Sequence, residues 1–590
     1  MKTESPWLIV NIDSDVTKAI LVEKGDGRYF VKGKGEALTT VGSPDLDVMI
    51  GVKRAIDSLE TSLGSKSLVW DDTEGRRILC SSSTSGGLHM MVAGLISMIS
   101  TESAQRAALG AGALLLDVFS KNDARPDYKI VERMRSLRPD IFLLAGGVDG
   151  GAVDQVLGMA GLVSSSDIDP RFGSIYKLPI IYAGNVELRD EIESVMSEEK
   201  YAIKHVDNIR PVIERENLGP AREGIYDAYM EHVIIHSPGY DRLVKMVEGQ
   251  IMPSQAAIGR VLYAYATQRN VNLVAVDVGS ATTDVYSVFN GLFNRSLNAD
   301  IGLRYGISNV MKQVGVEEIL QWIPEERGER ELRNIVGNMM ILQPESLSGD
   351  EVSVQQAVAR EAIKLALESH REIASRLKGI SLRRSIADMF EQAIEDTYLD
   401  MMKAQVVVGR GEVFKSSSDD AGSALLLMDA LEPSGVTELL VDRSSILPQL
   451  GMLCDKNSEA ALQILSDECL VRLGTCIAPS GTASRGDEVL RLSLISSGGK
   501  EIVEQARFGE LKLIHLDPNE SAQVELTPSR RFDLGRGRGK RLVQTLQGGE
   551  LGLIIDARGR PLSGPRDKSD LVRWRENLVG GGTESASGGS

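Results

Sequence analysis

The chain carries one segment that fixes its surroundings closely. The apolar run Leu273-Val274-Ala275-Val276 leads straight into Asp277-Val278-Gly279-Ser280-Ala281-Thr282-Thr283-Asp284. A short apolar run that stops at an acidic residue and a glycine reads as a buried strand ending in a tight polar turn. The residue types suit a nucleotide phosphate. Backbone N–H groups of such a turn converge on anionic oxygens, and Gly279 lets the main chain approach closely. Ser280, Thr282 and Thr283 bring hydroxyls. Asp277 can hold Mg²⁺ through water, because Mg²⁺ gives up its hydration shell reluctantly. On spacing alone, an ordinary β-hairpin with a polar turn is the alternative.

Around this segment the pattern alternates strands and helices. Strands are expected at Trp7–Ile12 and Lys18–Glu23, then a helix at Val48–Leu63 and a strand at Arg77–Cys80. The small-residue loop Ser81–Gly87 is expected to open a helix, either by capping it or by presenting its amides to an anion. Apolar strands follow at Pro139–Ala145 and Pro179–Ala183, closed by Gly146–Gly151 and by Gly184-Asn185. The first of these loops can be a ligand contact or a turn built on positive φ; the second reads as a turn. Helices interrupted near Pro238-Gly239 and Pro253 run from about 221 to 266. The strand Asn272–Val278 and its hairpin partner precede a helix-rich stretch from 316 to 400. Strand Gln405–Val408 meets the turn Gly409–Gly411, with helices at Ala421–Leu431 and Glu459–Cys469. Beyond about 470, strand-like runs at Val489–Ile495, Glu510–His515 and Gly552–Asp556 lie between turn residues. Such alternation predicts parallel α/β layers followed by a β-rich domain. The tail from 579 to 590 is low in complexity and is expected to be disordered.

Composition sets the outer limits. A chain of 590 residues, 42% hydrophobic and 25% charged, has the material for three or four folded domains. The net charge of −17 argues against general nucleic-acid binding. Cys80, Cys454, Cys469 and Cys476 form no CxxC pair, so neither a zinc site nor a disulfide framework is expected. The N-terminus lacks a signal-peptide pattern, and the apolar stretch Met90–Ile99 is too short to span a bilayer. A soluble, cytoplasmic protein is the expectation. His89, His232 and His236 stand apart from any paired nucleophile.

The segment 277–284 resembles the second phosphate loop of the sugar kinase/Hsp70/actin ATPase superfamily. Within it, the chain up to about 465 resembles the MutL (GlmL) family of accessory proteins associated with coenzyme-B12-dependent glutamate mutase. That family is related to the hydantoinase/oxoprolinase group. The matching stretches are Thr39-Thr40-Val41 with Leu46–Val52, CSSSTSGGLHMMVAGL from Cys80, PDIFLLAGGVDGG at 139–151, PIIYAGN at 179–185, DVGSATTDVYSV at 277–288 and DIGLRYG at 300–306. The resemblance implies a two-lobed actin-like, ribonuclease H-like α/β ATPase fold with an inserted α/β segment. The expected divisions are 1–270, 271–468, a C-terminal β-rich domain at 469–578 and the tail.

It also implies ATP and Mg²⁺ as cofactors and subunits of a B12-dependent mutase as partners. Asp277 would be the metal ligand, and Gly279, Ser280, Thr282 and Thr283 would meet phosphate. Gly409 and Gly411 stand where the family has a Gly-Gly turn on the adenosine side, with Arg410 between them. The first phosphate loop departs from the family's D-x-G-x-T pattern: Asn11-Ile12-Asp13-Ser14-Asp15-Val16-Thr17 has no glycine in either register. Asn11 or Asp13, with Ser14 and Thr17, would complete the opposite hairpin. Three functions follow: an ATP-binding reactivating factor for a mutase, a pseudo-ATPase scaffold, or a hydantoinase-like hydrolase. The basic run Arg530, Arg531, Arg536, Arg538, Lys540 and Arg541 reads as a solvated hairpin or as a surface for an acidic partner.

Overall fold

The N-terminal apolar run forms β1 (Trp7–Ile12), and the chain returns antiparallel as β2 (Val16–Gly25) and β3 (Arg28–Leu38). Asp26 and Gly27, both at positive φ, make the second turn. The helix Val48–Leu63 is held at its start by the Asp47 carboxylate on the Met49 N–H and at its end by left-handed Gly64. β4 (Arg77–Ser82) runs parallel to β1. The computed structural model describes residues 6–13, 15–41, 45–64, 77–83, 88–171, 173–213, 215–233, 238–298, 301–341, 347, 349–374, 399–415, 419–497, 499 and 501–580.

After β4 the chain builds a separate parallel sheet. Its strands are β5 (Leu88–Gly94), β6 (Ala113–Ser120), β7 (Ile141–Leu144), β8 (Leu178–Tyr182) and β9 (Tyr201–His205), in the order β6-β5-β7-β8-β9. Met90 and Val92 pack into one core while Met91 and Ala93 pack into another, so both faces of β5 are buried. This two-residue alternation corrects the helix expected after Ser81–Gly87. Residues 88–94 are a strand, and the helical segment begins only after it, as a π-turn at Ser97–Thr101 that continues into an α-helix at Glu102. Residues 84–87 lie outside the described residues. The chain then rejoins the first sheet as β10 (Met252–Pro253), beside β4, giving the order β10-β4-β1-β2-β3.

The second half repeats that order. β11 (Leu273–Val278), β12 (Thr283–Phe289) and β13 (Leu292–Asn298) form an antiparallel meander, and β14 (Val406–Gly411) and β15 (Gly435–Asp442) add in parallel beside β11. Three meander strands followed by two parallel ones is the ribonuclease H-like order. It occurs twice, as in actin-like ATPases, and the parallel sheet is the expected insertion. Among the described residues no helix is long and apolar enough to cross a membrane.

The C-terminal strands are β16 (Leu470–Ala478), β17 (Glu488–Ser496), β18 (Glu501–Arg507), β19 (Leu511–Ile514), β20 (Ser521–Pro528), β21 (Leu542–Gln547) and β22 (Gly552–Asp556). Four of them form the sheet β18-β17-β20-β21, whereas β16, β22 and β19 continue the β13-β12-β11-β14-β15 sheet to eight strands. Ile554 faces the core beneath the helices, while Leu553 and Ile555 face the core of the β-rich part.

The chain therefore divides differently from the expected boundaries. Residues 6–265 and 446–468 form one compact unit, and residues 266–374, 399–445 and 469–580 the other. The helices Leu447–Lys456 and Ser458–Ile464 join the first unit. Gly451 abuts the Ala257 carbonyl so closely that a Cβ would lie 1.9 Å from it, and Asn457 donates to the Tyr29 hydroxyl at 2.9 Å.

A buried ionic chain ties the second unit together. Arg360, on the helix Asp350–Ile373, donates to Asp429 at 3.0 Å, and Asp429 also meets Arg558 at 2.9 Å. Arg558 and Arg560 both bind Asp556 at 2.8 Å. The Arg360 and Arg558 guanidiniums lie over the Trp322 and Trp574 rings, 4.5 and 4.6 Å from the centroids. Burial pushes the Asp556 carboxyl up, but Arg558 and Arg560 outweigh it and hold it well below the usual carboxylate range. Asp429→Ala leaves two buried guanidiniums short of a counter-ion. It is expected to lower the unfolding free energy by about 3–5 kcal/mol, measured by urea denaturation.

His370, on the same helix as Arg360, is fully buried between the Ser296 and Ser287 hydroxyls at 2.9 and 2.8 Å. Burial drives its imidazole down to about 3. Below its unfolded value of about 6.5 the unfolded chain takes up a proton that the native one refuses. Stability is therefore lost as pH falls from there toward 3, by about 1.4 kcal/mol per pH unit. His370→Gln is expected to remove that component from the pH dependence of urea unfolding between about pH 6.5 and 4.

Candidate phosphate-loop site in the second unit

β11 ends at Asp277-Val278, and the turn that follows is closed by the Gly279 N–H on the Thr282 carbonyl at 2.9 Å. Its outer carbonyls are taken by the next segment. The Leu303 N–H donates to Gly279, and the Arg304 and Tyr305 N–H groups both donate to Ser280, at 2.8–3.0 Å. Gly302 backs onto Ala281, where a Cβ would come within 2.5 Å of its carbonyl carbon. The turn is thus braced from one side, with Ser280 and Thr282 left half-exposed. Thr283 does not share that position. It is fully buried and donates to the Ile301 carbonyl at 2.8 Å, so it anchors the loop instead of reaching a ligand.

β14 lies alongside with Asp277 opposite Arg410, between the pairs Val276–Gly409 and Val278–Gly411. A Cβ on Gly409 would lie 2.9 Å from the Phe414 ring, and one on Gly411, at φ +119°, would lie 2.2 Å from the Val278 carbonyl. The two glycines thus serve the close approach of β14 to its neighbours. Beside Val278, Gly279 and Ser280 a small cleft of about 20 Å³ opens to solvent. Arg304, Gln355 and Glu412 supply its polar wall.

The electrostatics are dominated by Arg410. Its guanidinium makes a close ion pair with the Asp277 carboxylate, and its Nε lies 3.5 Å from Asp442. Asp442, at the end of β15, is fully buried and accepts from the Ser445 N–H at 2.7 Å and the Ser444 hydroxyl at 3.0 Å. Asp284, opposite Asp277 on β12, is buried against Arg295, with an Nε–Oδ1 distance of 3.0 Å. Burial lifts the Asp284 carboxyl to about 6 against the pull of Arg295, and the nearby Asp277 charge adds to the rise. The carboxylate expected to hold Mg²⁺ therefore faces a guanidinium. Among the described residues no cluster of three or more His, Cys, Asp or Glu side chains is set to hold a metal ion.

In the first unit the corresponding hairpin is held by its own neighbours. The Asn11 side-chain carbonyl accepts from the hydroxyls of Ser81 at 2.9 Å and Ser254 at 2.7 Å, which uses both of its lone pairs. The Asp13 carboxylate accepts from the Ser83 hydroxyl at 2.5 Å, and its main-chain carbonyl accepts from Thr39. Thr17 is fully buried, 2.9 Å from the Thr39 hydroxyl. Ser14 lies outside the described residues. Ser81, Ser83, Thr39 and Ser254 are thus the polar partners that residue types around Asn11 alone do not reveal.

Two other candidates have polar partners of their own. In the Gly146–Gly151 loop, Asp149 accepts from Asn208 at 2.8 Å and from the Val186 N–H at 3.1 Å, and the Gly150 N–H donates to Asn185 at 3.2 Å. Its polar groups go to neighbouring turns. In the basic run, Arg531 pairs with Asp487 and Arg541 with Glu525, while Arg530, Arg536, Arg538 and Lys540 are exposed. The Asp533 carboxylate pins that loop by accepting from the Gly535 and Gly537 N–H groups at 2.7 and 2.9 Å.

Two ribonuclease H-like sheets, one of them bearing a braced glycine turn beside a cleft, place the molecule among proteins of the actin-like ATPase fold. More narrowly, the chain belongs to the MutL protein family, whose profile matches residues 7–469. Protein MutL of Clostridium tetanomorphum is 26% identical over 491 residues, which cover 78% of this chain and 98% of that one. Among solved structures, nucleotide-free acetone carboxylase aligns at TM-score 0.33 and 11% identity, over 85% of this chain and 81% of that one. Glycerol dehydratase reactivase aligns at TM-score 0.26 and 11% identity, over 77% and 100%. Component A of (R)-2-hydroxyglutaryl-CoA dehydratase from Acidaminococcus fermentans aligns at 0.25 and 10%, over 78% and 97%. The fold assignment rests on the strand order.

Gly411→Ala is expected to destabilise the second unit by more than about 3 kcal/mol, because backbone blocks its Cβ. Gly27→Ala, at φ +81° with nothing within 4 Å, is expected to cost only about 1–2 kcal/mol. Denaturant midpoints of the two variants test the contrast.

Proposed function

We propose that this protein is a nucleotide-responsive accessory factor for a coenzyme-B12-dependent mutase of the glutamate mutase type. The observation that carries the reading is the family match from 7 to 469, which spans both hairpin sheets and includes the Gly279–Thr282 turn. In this reading the half-exposed Ser280 and Thr282 hydroxyls and the turn amides receive phosphate. No side chain is assigned as a catalytic base. The exposed cations of the Arg530–Arg541 loop, pinned by Asp533, offer a surface for an acidic patch on the partner.

A second reading, a scaffold that binds its partner without nucleotide, is favoured by the Arg410–Asp277 pair, which occupies the expected metal ligand. Both are tested with the full chain, ATP and a glutamate-mutase-type B12 enzyme inactivated by turnover. Under the first reading, isothermal titration detects ATP binding and ATP changes the affinity for the mutase or restores its activity. Ser280→Ala with Thr282→Ala should weaken ATP binding by about tenfold, as loss of hydrogen bonds to a charged group predicts. Mutase binding that is indifferent to ATP supports the scaffold. Absence of both ATP binding and mutase binding overturns the proposal.

A further inference from the structure

We propose that Arg304 is the cation that meets a phosphoryl group of a polyphosphate at the Gly279–Thr282 turn. The inference deepens the nucleotide-binding reading above and rests on it. It starts from the charge behind the turn. At the strand ends three carboxylates, Asp277, Asp284 and Asp442, meet two guanidiniums, Arg410 and Arg295. These five groups leave one negative charge in excess, which opposes an anion at the turn. A phosphoryl group received there needs a further cation on the open side.

Arg304 holds that position. Its main-chain N–H donates to the Ser280 carbonyl at 2.9 Å, which ties the residue to the turn. It lines the same small cleft as Val278, Gly279 and Ser280. Its guanidinium is held by main-chain oxygens. Nε and Nη2 donate to the Met340 and Ile341 carbonyls at 3.2 and 3.3 Å, just beyond the helix Glu329–Met339, and the Tyr305 ring centroid lies 5.0 Å from the guanidinium carbon. Among the described residues no Asp or Glu pairs with Arg304. Glu412, in the same cleft wall, has Lys415 as its own counter-ion.

Two carbonyls fix this side chain in place without neutralising it. They take two of the five N–H donors that a guanidinium carries, and the others remain for an anion. Arginine meets phosphate oxygens through short, charge-assisted hydrogen bonds, and its charge persists at any working pH. The cleft sets the size of what enters. Its 20 Å³ has room for about one water-sized atom and none for a base or a sugar. One phosphoryl oxygen fits, and the rest of the ligand stays outside, on the side of the half-exposed Ser280 and Thr282.

The test uses isothermal titration of the purified full chain with two probes, ATP and inorganic tripolyphosphate. The wild type is expected to bind both. Arg304→Gln removes the charge and keeps a donor for the helix end, and it is expected to weaken both probes by about tenfold or more. Arg304→Lys keeps the charge and should stay within about threefold of the wild type. Added salt should weaken binding to the wild type and act much less on Arg304→Gln, a readout that a purely structural role would not move. Arg304→Met gives the same comparison if the glutamine variant does not fold. A folded neutral variant that binds ATP within about threefold of the wild type overturns the inference and leaves the nucleotide reading intact. A loss confined to ATP also overturns it, because Arg304 would then meet the nucleoside. A wild type that binds tripolyphosphate but not ATP removes the nucleotide reading and supports the phosphoryl site. A wild type that binds neither overturns both.

Discussion

The chain of charges Arg360–Asp429–Arg558–Asp556–Arg560 is the constraint on which the second unit depends. Five ionised side chains have been taken out of water, and none of them can be left unpartnered there without a large cost. They come from two helices of the ATPase-fold region, from the last residue of β22 and from the segment that follows it. Satisfying them requires all of these elements at once, each in its own register. Trp322 and Trp574 close the ends of the network with their ring faces. The C-terminal segment is therefore part of the ATPase-fold unit in an energetic sense as well as a topological one.

The candidate site follows the same logic on a smaller scale. Three parallel strand ends carry Asp277, Arg410 and Asp442 to one edge of the sheet, and a third carboxylate, Asp284, is paired with Arg295 from the meander. Two guanidiniums there face three carboxylates. In the first unit the equivalent hairpin is balanced by hydroxyls: Ser81, Ser83, Thr39 and Ser254 surround Asn11, Asp13 and Thr17. One fold thus carries two different solutions for the end of its first strand: a carboxylate paired with a guanidinium, and an amide and a carboxylate held by hydroxyls.

Much of the local structure was legible from residue patterns. The helix Val48–Leu63 has the boundaries its capping residues imply, and the hairpin after Leu273 stands where an apolar run meets a glycine turn. What was not legible is set by distant partners. Residues 88–94 form a short apolar run, and such a run reads equally as helix or as buried strand until a sheet is known to lie on either side. The placement of 446–468 depends on Ala257 and Tyr29, far away in sequence. The Arg410–Asp277 pair depends on parallel register between strands 133 residues apart. The inward turn of Thr283 did have a local signal, since it shares the two-residue period of Val285 and Phe289, both in the core. The duplication also had one: a strand, a polar turn and a returning strand occur near both residue 11 and residue 277.

The position of β22 between two cores has a consequence for how the chain is made. Synthesis runs from the N-terminus, and domains usually fold as they emerge. The first unit has all of its parts only when 446–468 have been translated. The second begins near residue 266 but lacks a sheet strand until Ile554 appears, and lacks the cover of Trp574 and Leu578 until a little later. The unit that carries the Gly279–Thr282 turn therefore has its full set of described strands and helices only once residues 552–579 have been made.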